Sequence, residues 1–201
     1  MSGACCGFWG KIPARGDFVR AGLPAGFIAA WDGWLQNVIL ESRGFLGEDW
    51  LAAWLEAPVW RFALEPGVCG ADAVLGLWMP SVDRAGRHYP LTLAAIVAGA
   101  DAESLAEQGA AWLAAAERAG LEAVQSDTPP EQLAAALNGV PGPAPLPPEK
   151  AENAASGFAA TSRWWTDGAP RVAARVADFA GLPDGPRFAA MLDDRMSGAT
   201  R

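Results

Sequence analysis

Asp83, Arg84, Arg87 and His88 crowd into one short polar turn between two apolar runs, with Ser81 just ahead of them and Pro80, Gly86 and Pro90 as punctuation. Guanidinium groups held in a turn suit bidentate capture of carboxylate or phosphate oxygens, and an aspartate among them either orients the cations or meets a basic partner. A second polar turn, Lys11 to Phe18, adds Lys11, Arg15 and Asp17. If the strand before this turn lies beside the strands flanking the other, both turns emerge at one end of the sheet and their charges converge. The structural alternative uses the same residues: Asp17 caps turn amides, and Asp83 pairs with Arg84, Arg87 or Arg15 to hold loop shape.

Other chemistries are weaker on the same residues. Ser81, Asp83 and His88 supply the residue types of a hydrolase triad, but Ser81 lacks a GxSxG elbow and His88 is the single histidine. Asp17 and Asp83 as an acid–base pair would be held ionised together by the neighbouring arginines instead of splitting their pKa values. GVCGADAVLG has neither GxGxxG spacing nor the lysine of a phosphate-binding loop. Cys5 and Cys6 are adjacent, Cys69 is remote, and no Cys/His metal spacing occurs, so free thiols, no metal and no cofactor are expected.

The elements that must position these turns read from hydrophobic period. Cys6 to Lys11 is a first strand. Pro24 opens a helix with Phe27, Trp31, Trp34, Leu35, Val38 and Ile39 on one face, closed near Arg43 and Gly44, and a short helix follows over Gly47 to Leu55. Trp60, Phe62 and Leu64 alternate with Val59, Arg61 and Ala63, and this strand turns through Pro66 and Gly67 into another from Ala71 to Met79. With the strand from Leu91 to Ala98 these make an antiparallel meander. A long Ala-rich helix is predicted over Ala102 to Ala123, and a shorter one over Glu131 to Leu137. Residues 139–150 read as a Pro/Gly-rich linker within one domain spanning 1–201. Ala155 to Thr161 and Arg171 to Phe179 read as two more strands separated by SRWWTDGAP, and Arg187 to Leu192 as a last helix. Trp164 and Trp165 are neighbours, and on a strand neighbours point to opposite sides, so one indole is expected outside the core or in a groove as a protein-binding hot spot. The sum is an α+β fold, an αβα sandwich with a largely antiparallel sheet of about five or six strands.

Composition narrows the setting. An apolar fraction of 51% with ten Trp among 201 residues supplies a core without disulfides. A net charge of −8 disfavours nucleic acid and anionic membrane surfaces as partners. No apolar run is long enough to span a bilayer, and the N-terminus lacks the pattern of a secretory signal, so a cytoplasmic location is expected.

The segments KIPARGDF, FIAAWDGWL, APVWRFALEPGVCG and PSVDRAGRHYPLTL, in this order, together resemble the TagF (ImpM) family of type VI secretion accessory proteins, and SRWWTDG and GLPDGPRFAAML resemble its C-terminal part. The resemblance implies a cytoplasmic, non-enzymatic post-translational repressor of type VI secretion in Gram-negative bacteria. The resemblance further implies action by binding a cytoplasmic component, the forkhead-associated scaffold protein of the apparatus. Some relatives are fused to a phosphatase domain, and none is expected within this sequence. A small hydrolase using Ser81, Asp83 and His88, or a structural module of the apparatus, are the alternatives. Lys11, Arg15, Asp17, Asp83, Arg84, Arg87, Trp164 and Trp165 are the candidates for partner contact or loop fixing.

Overall fold

Alternation along VWRFALE and the unbroken apolar run AVLGLWM place β3 (Trp60–Leu64) and β4 (Ala73–Met79) at the middle of a sheet buried on both sides. In the computed structural model, which describes residues 4–144 and 161–198, seven antiparallel strands run in the order β2-β1-β5-β4-β3-β6-β7. The others are β1 (Cys5–Gly10), β2 (Val19–Ala21), β5 (Leu91–Val97), β6 (Thr161–Thr166) and β7 (Arg175–Ala180). The predicted meander is β3-β4-β5, and β1 lies beside β5 in the register Gly10 to Leu91.

Helices cover both faces, as an αβα sandwich requires. On one face, α1 (Ala25–Leu46), α2 (Trp50–Leu55) and α6 (Gly185–Leu192) meet Trp60, Phe62, Trp78 and Trp164. The buried stripe of α1 includes Phe27, Trp31, Leu35, Val38 and Ile39. Its Trp31 indole donates to Thr92 Oγ1 at 2.9 Å, which satisfies the one polar atom that ring takes into the core. On the other face, α3 (Ala102–Gln108), α4 (Ala110–Gln125) and α5 (Pro130–Asn138) pack Leu105, Trp112, Leu113, Ala116 and Leu133 on Leu75, Leu77, Met79 and Leu93.

Four sequence expectations are corrected. The sheet has seven strands instead of five or six, because β2 is only three residues long and too short to show a period. The strand expected to end at Thr161 begins there in the described residues, and SRWWT is strand instead of connector; residues 155–160 lie outside the described residues. Its inward residues Ser162, Trp164 and Thr166 disguise it, since two of the three are polar: Ser162 accepts from the Trp164 indole at 2.8 Å and donates to the Gly181 carbonyl at 2.5 Å. The following strand starts at Arg175, after a bridge between Ala169 and Val172, and not at Arg171. The long Ala-rich helix breaks at Gly109, where a Cβ would stand 2.0 Å from Leu75 Cδ2, so α3 and α4 meet against the sheet through a bare backbone.

Candidate functional site

Pairing of β1 with β5, and of β5 with β4, brings the turn after Gly10 beside the turn after Met79. The convergence expected from sequence therefore occurs. Ser81 Oγ donates to the Lys11 carbonyl at 2.7 Å, and the Arg84 amide donates to the Arg15 carbonyl at 3.0 Å. Arg87 Nη2 donates to the Gly16 carbonyl. Within the second turn the Gly86 amide donates to the Asp83 carbonyl at 2.9 Å; Gly86 supplies the positive φ of 80° that the reversal needs.

Asp83 is the centre of this arrangement. Its side chain is fully buried and forms an ion pair with the buried ammonium of Lys11. It also accepts from Arg87 Nε at 2.7 Å and from the amides of Ala85 and Arg87, each at 2.9 Å. Burial alone would raise the Asp83 carboxyl, but the hydrogen bonds from Lys11, Arg87 and Ala85 outweigh it and hold the group well below the usual carboxylate range. It is an ionised pin that joins two loops distant in sequence.

The predicted residues therefore separate by role. Lys11, Asp83 and the inner side of Arg87 fix the loops. Arg15 and Arg84 are exposed; Arg15 Nη2 lies 3.7 Å from Glu131 on α5, and Arg84 makes no ion pair among the described residues. Asp17 is exposed and caps no backbone amide among the described residues, contrary to the structural alternative. Trp164 is fully buried between Trp31 and Phe62 and is not a surface contact in this fold. Trp165, on the opposite side of β6, lines a groove of about 390 Å³ with Arg61, Leu113, Glu117 and Val176, which is where the alternation placed one of the two rings.

Ser81, Asp83 and His88 do not form a relay. The Ser81 hydroxyl is spent on a backbone carbonyl, and Asp83 is taken up by cations and amides. His88 stands edge-on to Trp50 at 5.9 Å. Burial, with the Arg43 charge nearby, lowers the His88 pKa despite an opposing pull from Asp83.

Three features escaped the sequence reading. Phe18, the last residue of the candidate turn, and Arg20, just beyond it, are exposed beside Arg15. Tyr89 donates to Asp32 Oδ1 on α1 at 2.5 Å, tying the second loop to the helical layer. At the C-terminal side, buried Asp193 accepts from Arg195 at 2.7 Å and from Arg171 at 3.0 Å, while those arginines reach Asp49 and Glu56. The Arg195 hydrogen bonds, against the effect of burial, lower the Asp193 carboxyl to about 2. The run LDDR at the end of α6 was the available signal, but Asp49 lies 146 positions upstream of Arg195.

A seven-stranded antiparallel sheet between two helical layers, closed at one end by two ion-paired loops, defines the class as an α+β sandwich protein. A family model described as the TagF N-terminal domain, type VI secretion system-associated, matches residues 7–140. The chain belongs to the TagF family and is a type VI secretion-associated protein. Its fold is similar to the crystal structure of PA0076 from Pseudomonas aeruginosa PAO1, with a TM-score of 0.83 and 34% identity over 94% of each chain. That likeness extends past the family match to the C-terminal strands. Among functionally curated proteins no match is found. Among the described residues no helix is long and apolar enough to cross a membrane.

Proposed function

We propose that this protein is a non-enzymatic, post-translational repressor of type VI secretion that acts by binding a cytoplasmic component of the apparatus, the forkhead-associated scaffold protein. Family membership supplies the secretion system. The observation that supports binding is the pinned loop pair: Asp83 and Lys11 spend their charges inside, while Arg15 and Arg84 stand outside on a backbone held by hydrogen bonds within and across the loops. A loop backbone held in this way favours recognition, because a partner that covers the guanidiniums orders only their side chains and not the loop. The engagement of Ser81 and Asp83 with the backbone and with cations favours binding over hydrolysis by the same residues.

Deletion in the native host combined with a pull-down tests this reading. Loss of a repressor raises secretion of the system's effectors, and the purified chain retains the scaffold. Lower secretion on deletion would instead make the protein a structural component. Turnover of a substrate panel that vanishes in His88→Ala would restore the hydrolase alternative.

A further inference from the structure

Phe18 is 42% exposed, yet its ring is not loose. It stacks on Trp9 at 4.8 Å with an interplanar angle of 7°, meets Tyr89 edge-on at 4.8 Å, and has Lys11 Nζ 4.9 Å from its centroid. Tyr89 is fixed in turn by Asp32 and Lys11 by Asp83. An exposed aromatic ring held this firmly offers apolar contact area at little entropic cost, which is the property of interface anchors.

Cations surround it. Phe18 lines a concavity of about 340 Å³ together with Arg15, Arg20 and Pro130. Arg20, on the edge strand β2, is exposed and makes no ion pair among the described residues. Exposed Arg84 lies outside this concavity but in the adjoining loop, where its amide donates to the Arg15 carbonyl at 3.0 Å. Carboxylates stand here too: Asp17 in the turn, Glu131, which is itself exposed and 3.7 Å from Arg15, and half-buried Asp32, which accepts from the Tyr89 hydroxyl at the edge of the Phe18 ring. A chain of net charge −8 thus turns a local cationic surface outward around one fixed aromatic ring.

We propose that Arg15, Phe18, Arg20 and Arg84 form a docking surface for an acidic protein segment that carries an apolar side chain among its carboxylates. The apolar side chain covers Phe18, and the carboxylates meet the guanidiniums by charge-assisted hydrogen bonds. Asp17 sets the order of charges, since a carboxylate placed over the tip of the turn is repelled. This inference deepens the binding reading above and names the chemistry of the partner.

The test uses the full chain and two kinds of probe. Nitrogen-15 NMR follows the amides of Gly16, Phe18, Arg20 and Arg84 during titration with the capped peptide Glu-Glu-Leu-Glu-Glu, its lysine counterpart, and a phosphothreonine peptide without other charges. Binding to the forkhead-associated scaffold is measured in parallel for the native chain, Phe18→Ala, and the Arg20→Glu, Arg84→Glu double variant, each checked for an unchanged melting temperature. The acidic peptide is expected to shift these amides selectively, to lose at least about tenfold in affinity in the double variant, and to weaken as salt rises. No selective shift, or an equal shift with the lysine peptide, overturns the proposal. Preference for the phosphothreonine peptide overturns the commitment to carboxylates. If the native chain binds the scaffold and both variants bind it equally, the surface is wrong while the repressor reading stands. If the scaffold fails to bind but the acidic peptide shifts these amides, the surface stands and the named partner falls.

Discussion

Replacing Asp83 by asparagine removes one charge and almost no volume, which makes it the sharpest probe of the loop pair. The carboxamide oxygen introduced there can still accept from the Ala85 and Arg87 amides that Asp83 now holds. Lys11 is left with its ammonium buried, 6% exposed, facing a neutral amide. Breaking a buried pair from one side costs about 3–5 kcal/mol because the surviving charge is uncompensated. For a chain of this size that corresponds to a melting temperature lower by roughly 6–20 °C. Lys11→Met alone is milder, since Asp83 keeps Arg87 and both amides. The double variant Lys11→Met, Asp83→Asn has no orphaned buried charge, since the Arg87 side chain that also loses the carboxylate is 59% exposed, and it returns to within about 1–2 kcal/mol of the native protein. Urea unfolding followed by tryptophan fluorescence measures all four corners of the cycle, with an unchanged denaturant slope as the check on two-state behaviour. A cost for Asp83→Asn under about 1 kcal/mol, or a double variant as unstable as the sum of the single ones, refutes the account of Asp83 as an ionised pin.

Acid titration carries a defined sign: Asp83 and Asp193 have depressed folded-state pKa values, so their stabilisation is complete above the unfolded value near 4 and drains away as pH falls toward the folded values, about 2 for Asp193. Unfolding free energy measured from pH 6 to pH 2 should fall most steeply below about pH 4, and Asp193→Asn should flatten part of that fall. His88 acts in the same direction at higher pH, because its lowered pKa makes the folded state bind fewer protons; stability should dip slightly below about pH 6.5, and His88→Gln should remove the dip. Gly109→Ala is expected to destabilise by about 1–3 kcal/mol in a thermal melt, although alanine favours helix, because its Cβ would meet Leu75 and the Leu105 carbonyl.

The elements carried by strong hydrophobic period could be read in the sequence. The stripe of α1 and the meander β3-β4-β5 follow directly from residue spacing, and once β1 is set beside β5 the convergence of the two charged turns is a matter of topology. What period could not reveal depends on partners distant in the chain. The residue where the long helix breaks is a glycine with no room for a Cβ against Leu75, a partner 34 positions upstream. SRWWT becomes a strand because Ser162 and Trp164 satisfy one another's polar atoms inside the core. Phe18 lay within a segment already singled out, but its fixed and exposed state depends on Trp9 and Tyr89. Likewise, Lys11 carried the same formal promise as Arg84 in the sequence; burial alone separates a pin from a free cation.

That separation explains why the pin is charged at all. A buried ion pair is poor at adding stability, and well-packed apolar residues of similar volume often do as well or better. Apolar residues have no direction, however, whereas the Asp83 carboxylate accepts from the Lys11 ammonium, Arg87 Nε and two amides, and so dictates where the turn bearing Arg84 and Arg87 stands relative to Gly16. The consequence can be measured. A Lys11→Met, Asp83→Leu variant keeps the interior filled and should retain most of the global stability, yet the Ala85 and Arg87 amides lose their acceptor. Hydrogen exchange at those two amides should accelerate by at least about tenfold, equivalent to about 1.4 kcal/mol of lost protection, while amides of β4 stay as they are. Unchanged protection at Ala85 and Arg87 would mean that the flanking strands alone set the loop, and that the charge at Asp83 has no positional role.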